Sequence, residues 1–347
     1  MRKFCWLIGI FGIWLLFIQA CNQNTAPVVF QFKDKLSDYG FFKGTLKLLQ
    51  PEENVLPYEL ATPLFTDYSV KDRFIVLPHD SAMRYKGAGL PEFPDSTFIL
   101  KNFAYINPNH EKVMIETRIL FRDPADHQWK VMNYLWDSTQ NDAQKWIVGK
   151  KIPISLIDES GKVQSTVYQM PNTNDCKRCH INNSVLTPIG PKVRNLNYTR
   201  HSETENQLLK WAGMHKLADL PDLATVSRLP DYKDSLKFTV NERARAYLDV
   251  NCAHCHTKGG DAYNTGLFLE YEQADSNHLG LYKSPVSAGG GAGGLDYDLV
   301  PGSPAQSILL YRMNSVEPGT AMPELARTVI HREGVVLISK WITEMKH

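Results

Sequence analysis

Six cysteines and eleven histidines are few among 347 residues, yet the pentapeptide Cys-x-x-Cys-His occurs twice, at Cys176-Lys177-Arg178-Cys179-His180 and at Cys252-Ala253-His254-Cys255-His256. Random order would give roughly 0.003 copies per chain of this composition, so the spacing points to chemistry. Two thiols three positions apart reach the two vinyl groups of one porphyrin, and the adjoining histidine then sits beneath the iron as its proximal ligand. Read this way, Cys176, Cys179, Cys252 and Cys255 attach two covalently bound haem c groups, with His180 and His256 on the irons. The competing use of the four thiols is an all-cysteine zinc site made of two Cys-x-x-Cys pairs. Zinc gives no reason for a histidine directly after both pairs, and a four-thiol site is at risk in an oxidising compartment.

The N-terminus points to such a compartment. Arg2 and Lys3 precede an apolar run over residues 4–18, and small Ala20 stands before Cys21, the layout of a secretory signal. Ile18-Gln19-Ala20-Cys21 also resembles a bacterial lipoprotein box, so residues 1–20 are expected to leave as a signal peptide and Cys21 to carry lipid. That puts the protein on the periplasmic or cell-surface side, held to the membrane by its anchor, and Asn22 in place of an acid favours the outer membrane. An uncleaved anchor is the alternative, although the apolar run falls short of the roughly 20 residues of a spanning helix. Cys5 departs with the signal, Cys21 takes lipid and four thiols take haem, which leaves none for a disulfide. The balance of 38 basic against 37 acidic residues gives no nucleic-acid footprint.

The elements that must hold these motifs read as α+β: an N-terminal antiparallel β-sandwich-like domain over 21–168, a first haem-binding segment over 169–235 and a mostly helical, class I cytochrome c-like region over 236–347. Residues 112–122 alternate, with Val113, Ile115, Thr117, Ile119 and Phe121 on one side and Glu116, Arg118 and Arg122 on the other, as a half-buried strand does. Runs at 73–77, 96–106, 129–136, 147–157 and 163–168 are similar, the last two parted by the turn Asp158-Glu159-Ser160-Gly161. His79, His110 and His127 read as exposed loop residues. The first motif follows Met170-Pro171-Asn172 in a segment that reads as loop, with a short helix expected over 206–217. Met170, His201, Met214 and His215 are candidates for the sixth ligand of the first iron, a position that an open site would leave vacant.

Toward the C-terminus, Thr239-Val240-Asn241-Glu242 is a capping box opening a helix that runs into Cys252. Ser303-Pro304 starts another helix, and Val335, Ile338, Ile342 and Met345 mark a terminal amphipathic one. Between them Met322-Pro323 stands 66 residues after His256 by subtraction, about where small class I cytochromes c, which this region resembles, place their distal methionine; the resemblance implies Met322 as the distal thioether of the second iron, with Met313 in reserve. The glycine-rich stretch 289–294 reads as a flexible insertion.

Residues 239–347 resemble a class I cytochrome c domain. More widely, Glu116-Thr117-Arg118, Tyr134-Leu135-Trp136-Asp137, Asn174-Asp175 with the first motif, Ile189-Gly190-Pro191-Lys192, Arg194-Asn195-Leu196-Asn197, residues 243–256 and Pro301-Gly302-Ser303-Pro304 together resemble a family of uncharacterised bacterial two-haem c-type cytochromes. The resemblance covers most of the mature chain. It implies two covalent haems, a periplasmic or surface location and an accompanying secreted parallel β-helix protein as partner, with no set substrate. The expected function is electron transfer with a redox partner protein. The alternatives are a peroxidase-like oxidoreductase with an open first haem, for which no distal acid-base set is evident, and a binding module whose β-domain recognises a ligand while the haems relay.

Overall fold

Six runs rich in β-branched and aromatic residues pair into one antiparallel sheet whose strands follow chain order: β1 Val55–Pro57, β2 Val70–Val76, β3 Phe98–Ile106, β4 Lys112–Arg122, β5 Trp129–Trp136 and β6 Ala143–Trp146. The computed structural model describes residues 30–158, 160–325 and 327–346. Cys5, the signal peptide and the lipidation position Cys21 lie outside the described residues.

The sheet is buried on both faces. Phe74, Leu100, Ile119 and Trp136 pack under Leu36, Phe41, Leu46 and Leu49 from the segment that precedes the sheet. Ile75, Ile99 and Leu120 on the opposite face pack against Val193, Leu196, Leu208 and Trp211. The half-buried reading of 112–122 is therefore corrected. Glu116 is fully buried, because its charged side faces other parts of the chain rather than water. The expected sandwich is corrected as well. Among the described residues no second sheet of comparable size faces the first; 150–170 forms a two-stranded hairpin, β7 Lys150–Ile157 with β8 Val163–Met170, whose Leu156 and Tyr168 pack on Tyr105 and Ile115 of the sheet. Its turn closes as anticipated, with Asp158 Oδ1 accepting from the amides of Ser160 at 3.0 Å and Lys162 at 2.9 Å.

Among the described residues six α-helices accompany the strands, joined by turns and short 3-10 pieces: α1 Thr173–His180, α2 Val193–Leu196, α3 Gln207–Gly213, α4 Val240–Asn251, α5 Ile308–Met313 and α6 Arg332–Glu344, the last three covering a minor part of the region expected to be mostly helical. The first motif thus lies in a helix, not in a loop. Asn172 accepts from the amides of Asn174 and Asp175, and Asp175 accepts back from the Asn172 amide, a reciprocal cap on an otherwise aperiodic sequence. The box at Thr239 forms as expected. Ser303 caps nothing; a 3-10 turn, Pro304–Gln306, precedes α5, and the Ser307 hydroxyl is taken up by Ser303 O and the Val300 amide. Leu248 of α4 and Ile338 and Trp341 of α6 share one core, and the Trp341 indole donates to Asn241 at 2.8 Å. Gly291 of the glycine-rich stretch is packed, since a Cβ there would meet Gly319 O at 2.8 Å. Phe32–His347 form one compact α+β unit. Among the described residues no helix is long and apolar enough to cross a membrane.

Candidate haem-binding site

One turn of α1 separates Cys176 from Cys179, so the two thiols lie on neighbouring positions of one helix face. Cys176 is buried, its Sγ 3.8 Å from Asn133 Oδ1 on β5. His180 ends the helix, and a two-residue β-ladder between 181–182 and 185–186 folds the chain back so that Thr187 meets it twice. The Thr187 amide donates to His180 O at 2.6 Å, and Thr187 O lies 2.9 Å from His180 Nδ1. An Nδ1–H given to a carbonyl leaves Nε2 as the lone-pair nitrogen, the arrangement that orients a metal-binding imidazole.

The second motif leaves the C-terminus of α4 as a tight coil. The amides of Cys255 and His256 both turn back to Cys252 O, at 3.1 and 3.0 Å. Nδ1 of His254 and Nδ1 of His256 are buried without a hydrogen-bond partner. Burial pushes both His180 and His256 down to about 4, so each imidazole is neutral and available as a ligand at pH 7.

The two motifs meet. Ligand atoms of Cys179, His254 and Cys255 all lie within 4.8 Å of one another. The Cys255 thiol, which also points to Arg178 O at 3.9 Å, donates to Cys179 and together with His254 draws that thiol well below its ordinary range. Burial instead raises Cys176, and takes Cys252 up to about 12. Arg178, inside the first motif, forms ion pairs with Glu324 at 2.9 Å and Asp261 at 3.4 Å. The Asn183 amide donates to Gly259 O at 2.9 Å. Gly259 has φ +82°, and a Cβ there would stand 2.4 Å from Asn183 Oδ1, so this approach of the two segments needs glycine.

A cavity of about 440 Å³ runs between the motifs, within the size range of small-molecule and cofactor sites. Cys176, Cys179, His180, Cys252, Cys255, His256 and Met322 all line it, as does Met313. Met322 is held by its amide, which donates to Arg312 O at 3.0 Å. None of the four sixth-ligand candidates for the first iron lines the cavity. Met170 is buried in the hairpin core, His201 faces out and pairs with Glu59, and Met214 and His215 follow the end of α3. The sheet also lines the cavity, with Arg73, Lys101 and Arg118, and Nη2 of buried Arg73 has no hydrogen-bond partner. The thiols, the neutral imidazoles, the thioether and the unsatisfied cation fit a covalently attached, dicarboxylate porphyrin.

Sequence reasoning missed His254 and the three sheet cations. The signal for His254 was its place inside the second motif; for the cations it was only their charge within β-patterned runs. Other residues of the resemblance turn out to knit the fold. Asn195 exchanges hydrogen bonds with the Thr62 backbone at 2.9 and 3.0 Å, Arg194 pairs with buried Asp249 of α4, and Trp136 donates to Thr117 at 2.9 Å. His79, His110 and His127 are exposed, as expected. Comparison with family models, curated proteins and solved structures found no match for this chain.

Proposed function

We propose that this chain is an exported, lipid-anchored dihaem c-type cytochrome that transfers single electrons between a donor and an acceptor protein on the periplasmic side or at the outer membrane. The observation that carries this reading is that two Cys-x-x-Cys-His motifs, 76 residues apart by subtraction, open onto one cavity with Cys179 and Cys255 side by side. Haem at each motif would supply a one-electron Fe(III)/Fe(II) couple. Cys176 with Cys179 and Cys252 with Cys255 would hold the two groups, His180 through Nε2 and His256 would be ligands to the irons, and Met322 would be the further ligand at the second site. Thioether ligation favours ferrous iron, which would make the C-terminal site the higher-potential one if the first iron is bis-histidine or open. The adjacency of Cys179 and Cys255 would bring the two porphyrin edges close, and electron tunnelling is fastest across short gaps. The packing of α4 on α6 around the second motif supports the class I cytochrome c-like reading of 236–347.

Expression in a host with the c-haem maturation system should give a red protein whose intact mass exceeds that of the chain by two haems, with a pyridine haemochrome to match. One haem, or zinc and no pigment, would overturn the reading. The absence of any nominated sixth ligand beside His180 favours, as a second reading, a peroxidase-like first site. Peroxide that changes the spectrum of the first haem with turnover would select it.

A further inference from the structure

Three cations stand directly opposite one another across the sheet: Arg73 on β2 is paired with Lys101 on β3, and Lys101 with Arg118 on β4. Side chains opposite in register share a face, and this face is the cavity wall. Like charges in directly opposed positions repel, so a row of three, with Arg73 buried and Lys101 and Arg118 half-buried, requires compensation. Only Arg118 has it. Glu116 accepts from Arg118 Nε at 2.6 Å and from Tyr168 at 2.5 Å. Arg73 makes one long bond, from Nη1 to Lys71 O at 3.4 Å, and leaves Nη2 without a partner although only 8% of the residue is exposed. Lys101 forms no ion pair among the described residues and lies over the Phe103 ring, 4.9 Å from its centroid. Burial and the neighbouring Arg73 hold the Lys101 amine well below its ordinary range. Two basic side chains, Arg73 and Lys101, therefore lack an acidic partner among the described residues at the edge of a cavity. The row is near the first motif, since Arg118 stands opposite Asn133 on β5, whose Oδ1 lies 3.8 Å from Cys176 Sγ.

We propose that Arg73, Lys101 and Arg118 form an oxyanion site on the cavity wall that takes a pair of carboxylates, and that in the loaded protein these are the two propionates of the haem attached at Cys176 and Cys179. The proposal rests on the dihaem reading. Two carboxylates match the two uncompensated cations, and Arg73 offers the planar donor fork that carboxylates accept. Binding would favour the charged form of Lys101 and offset the repulsion along the row.

The test is a spectroscopic redox titration of the holoprotein and of Arg73→Met and Lys101→Met, from pH 6 to 8, with intact mass confirming two haems in each. A nearby cation disfavours the ferric state, so each variant should lower the midpoint of the first haem. The expected change is about tenfold in its ferric-to-ferrous ratio, or about 59 mV for a one-electron couple. The second haem, marked by its His/Met near-infrared band, should not move. The first midpoint should also gain a pH slope as the released propionates titrate nearer neutrality. Arg73→Lys, which keeps the charge, should restore most of the wild-type value, and half-buried Lys101 provides a variant that folds where Arg73→Met does not. Unchanged midpoints and pH slopes in variants that carry both haems would overturn the proposal while leaving the dihaem reading intact; absence of haem from the wild type would overturn that reading first. Nitrite added to the wild-type holoprotein distinguishes the source of the anion. A saturable change at the first haem that disappears in Lys101→Met would mean that the row holds a free oxyanion and would overturn the propionate assignment.

Discussion

At Met322 the two fates of one thioether lead to different spectra. If its sulfur binds the second iron, Met322→Ala should keep both covalent haems and abolish the near-infrared band of the ferric protein. It should also lower the potential of that haem and open it to carbon monoxide. A methionine that only packs would instead lose about 2 to 5 kcal/mol of stability on truncation, with the spectrum of the folded protein unchanged, and Met313 would become the candidate. His331 is a residue whose charge bears on stability. It is stacked on Phe65 with ring centroids 4.0 Å apart, and it bonds the Tyr247 hydroxyl at 2.9 Å. Burial pushes it down to about 3. Its folded value is below its unfolded one, so the unfolded chain binds the extra proton first. The neutral ring therefore stabilises fully above about pH 6.5, and that stability falls away as pH drops toward 3, by on the order of a few kcal/mol. Denaturant titrations of wild type and His331→Phe across this range should show a shallower slope in the variant; parallel curves would refute the assignment.

Among the elements, α1 depends most on a local device. Its reciprocal cap at Asn172 and Asp175 holds the helix that sets Cys176 and Cys179 one turn apart. Asn172→Ala should cost about 1 kcal/mol of stability and lower the yield of the first haem relative to the second, measured by peptide mass after proteolysis. Equal occupancy of both motifs would separate the cap from haem binding. The helix was missed in the sequence because its eight residues are polar apart from the two cysteines, too few apolar positions to mark a core-facing stripe, although the Asn-x-x-Asp spacing was there to be read. Devices carried by adjacent residues were legible: the Thr239 box, the turn after Ile157 and strands β4 and β5 were placed from sequence alone. What covers the second face of the sheet was not, because alternation distinguishes two faces without saying which is solvated. The Arg73, Lys101 and Arg118 row was hidden for a related reason. It exists only through register, and three separate strands must pair before the charges meet.

At the scale of the molecule, the regions read as successive domains are tied by buried polar bonds. Asp249 of α4 pairs with Arg194, Asn251 accepts from the Phe65 amide at 2.8 Å, and Asp67 accepts from the amides of Thr328 and Val329 at 2.7 and 3.0 Å. Residues 236–347 produced alone would lose all of these partners. Compared with the full chain, that fragment should melt at a lower temperature and in a broader transition, whereas the full chain should unfold with coincident haem absorbance and far-ultraviolet signals. A fragment as stable as the whole would make the C-terminal region self-sufficient. The cavity lining runs from Tyr58 to Leu325, so its walls are complete only when nearly the whole polypeptide is available to fold. If the chain is exported and carries haem as proposed, each motif must be reached before those walls close around it. On the dihaem reading, then, the interval between emergence of the second motif and arrival of the last wall is a loading window, and the rate of export relative to folding governs how many chains are completed with both irons.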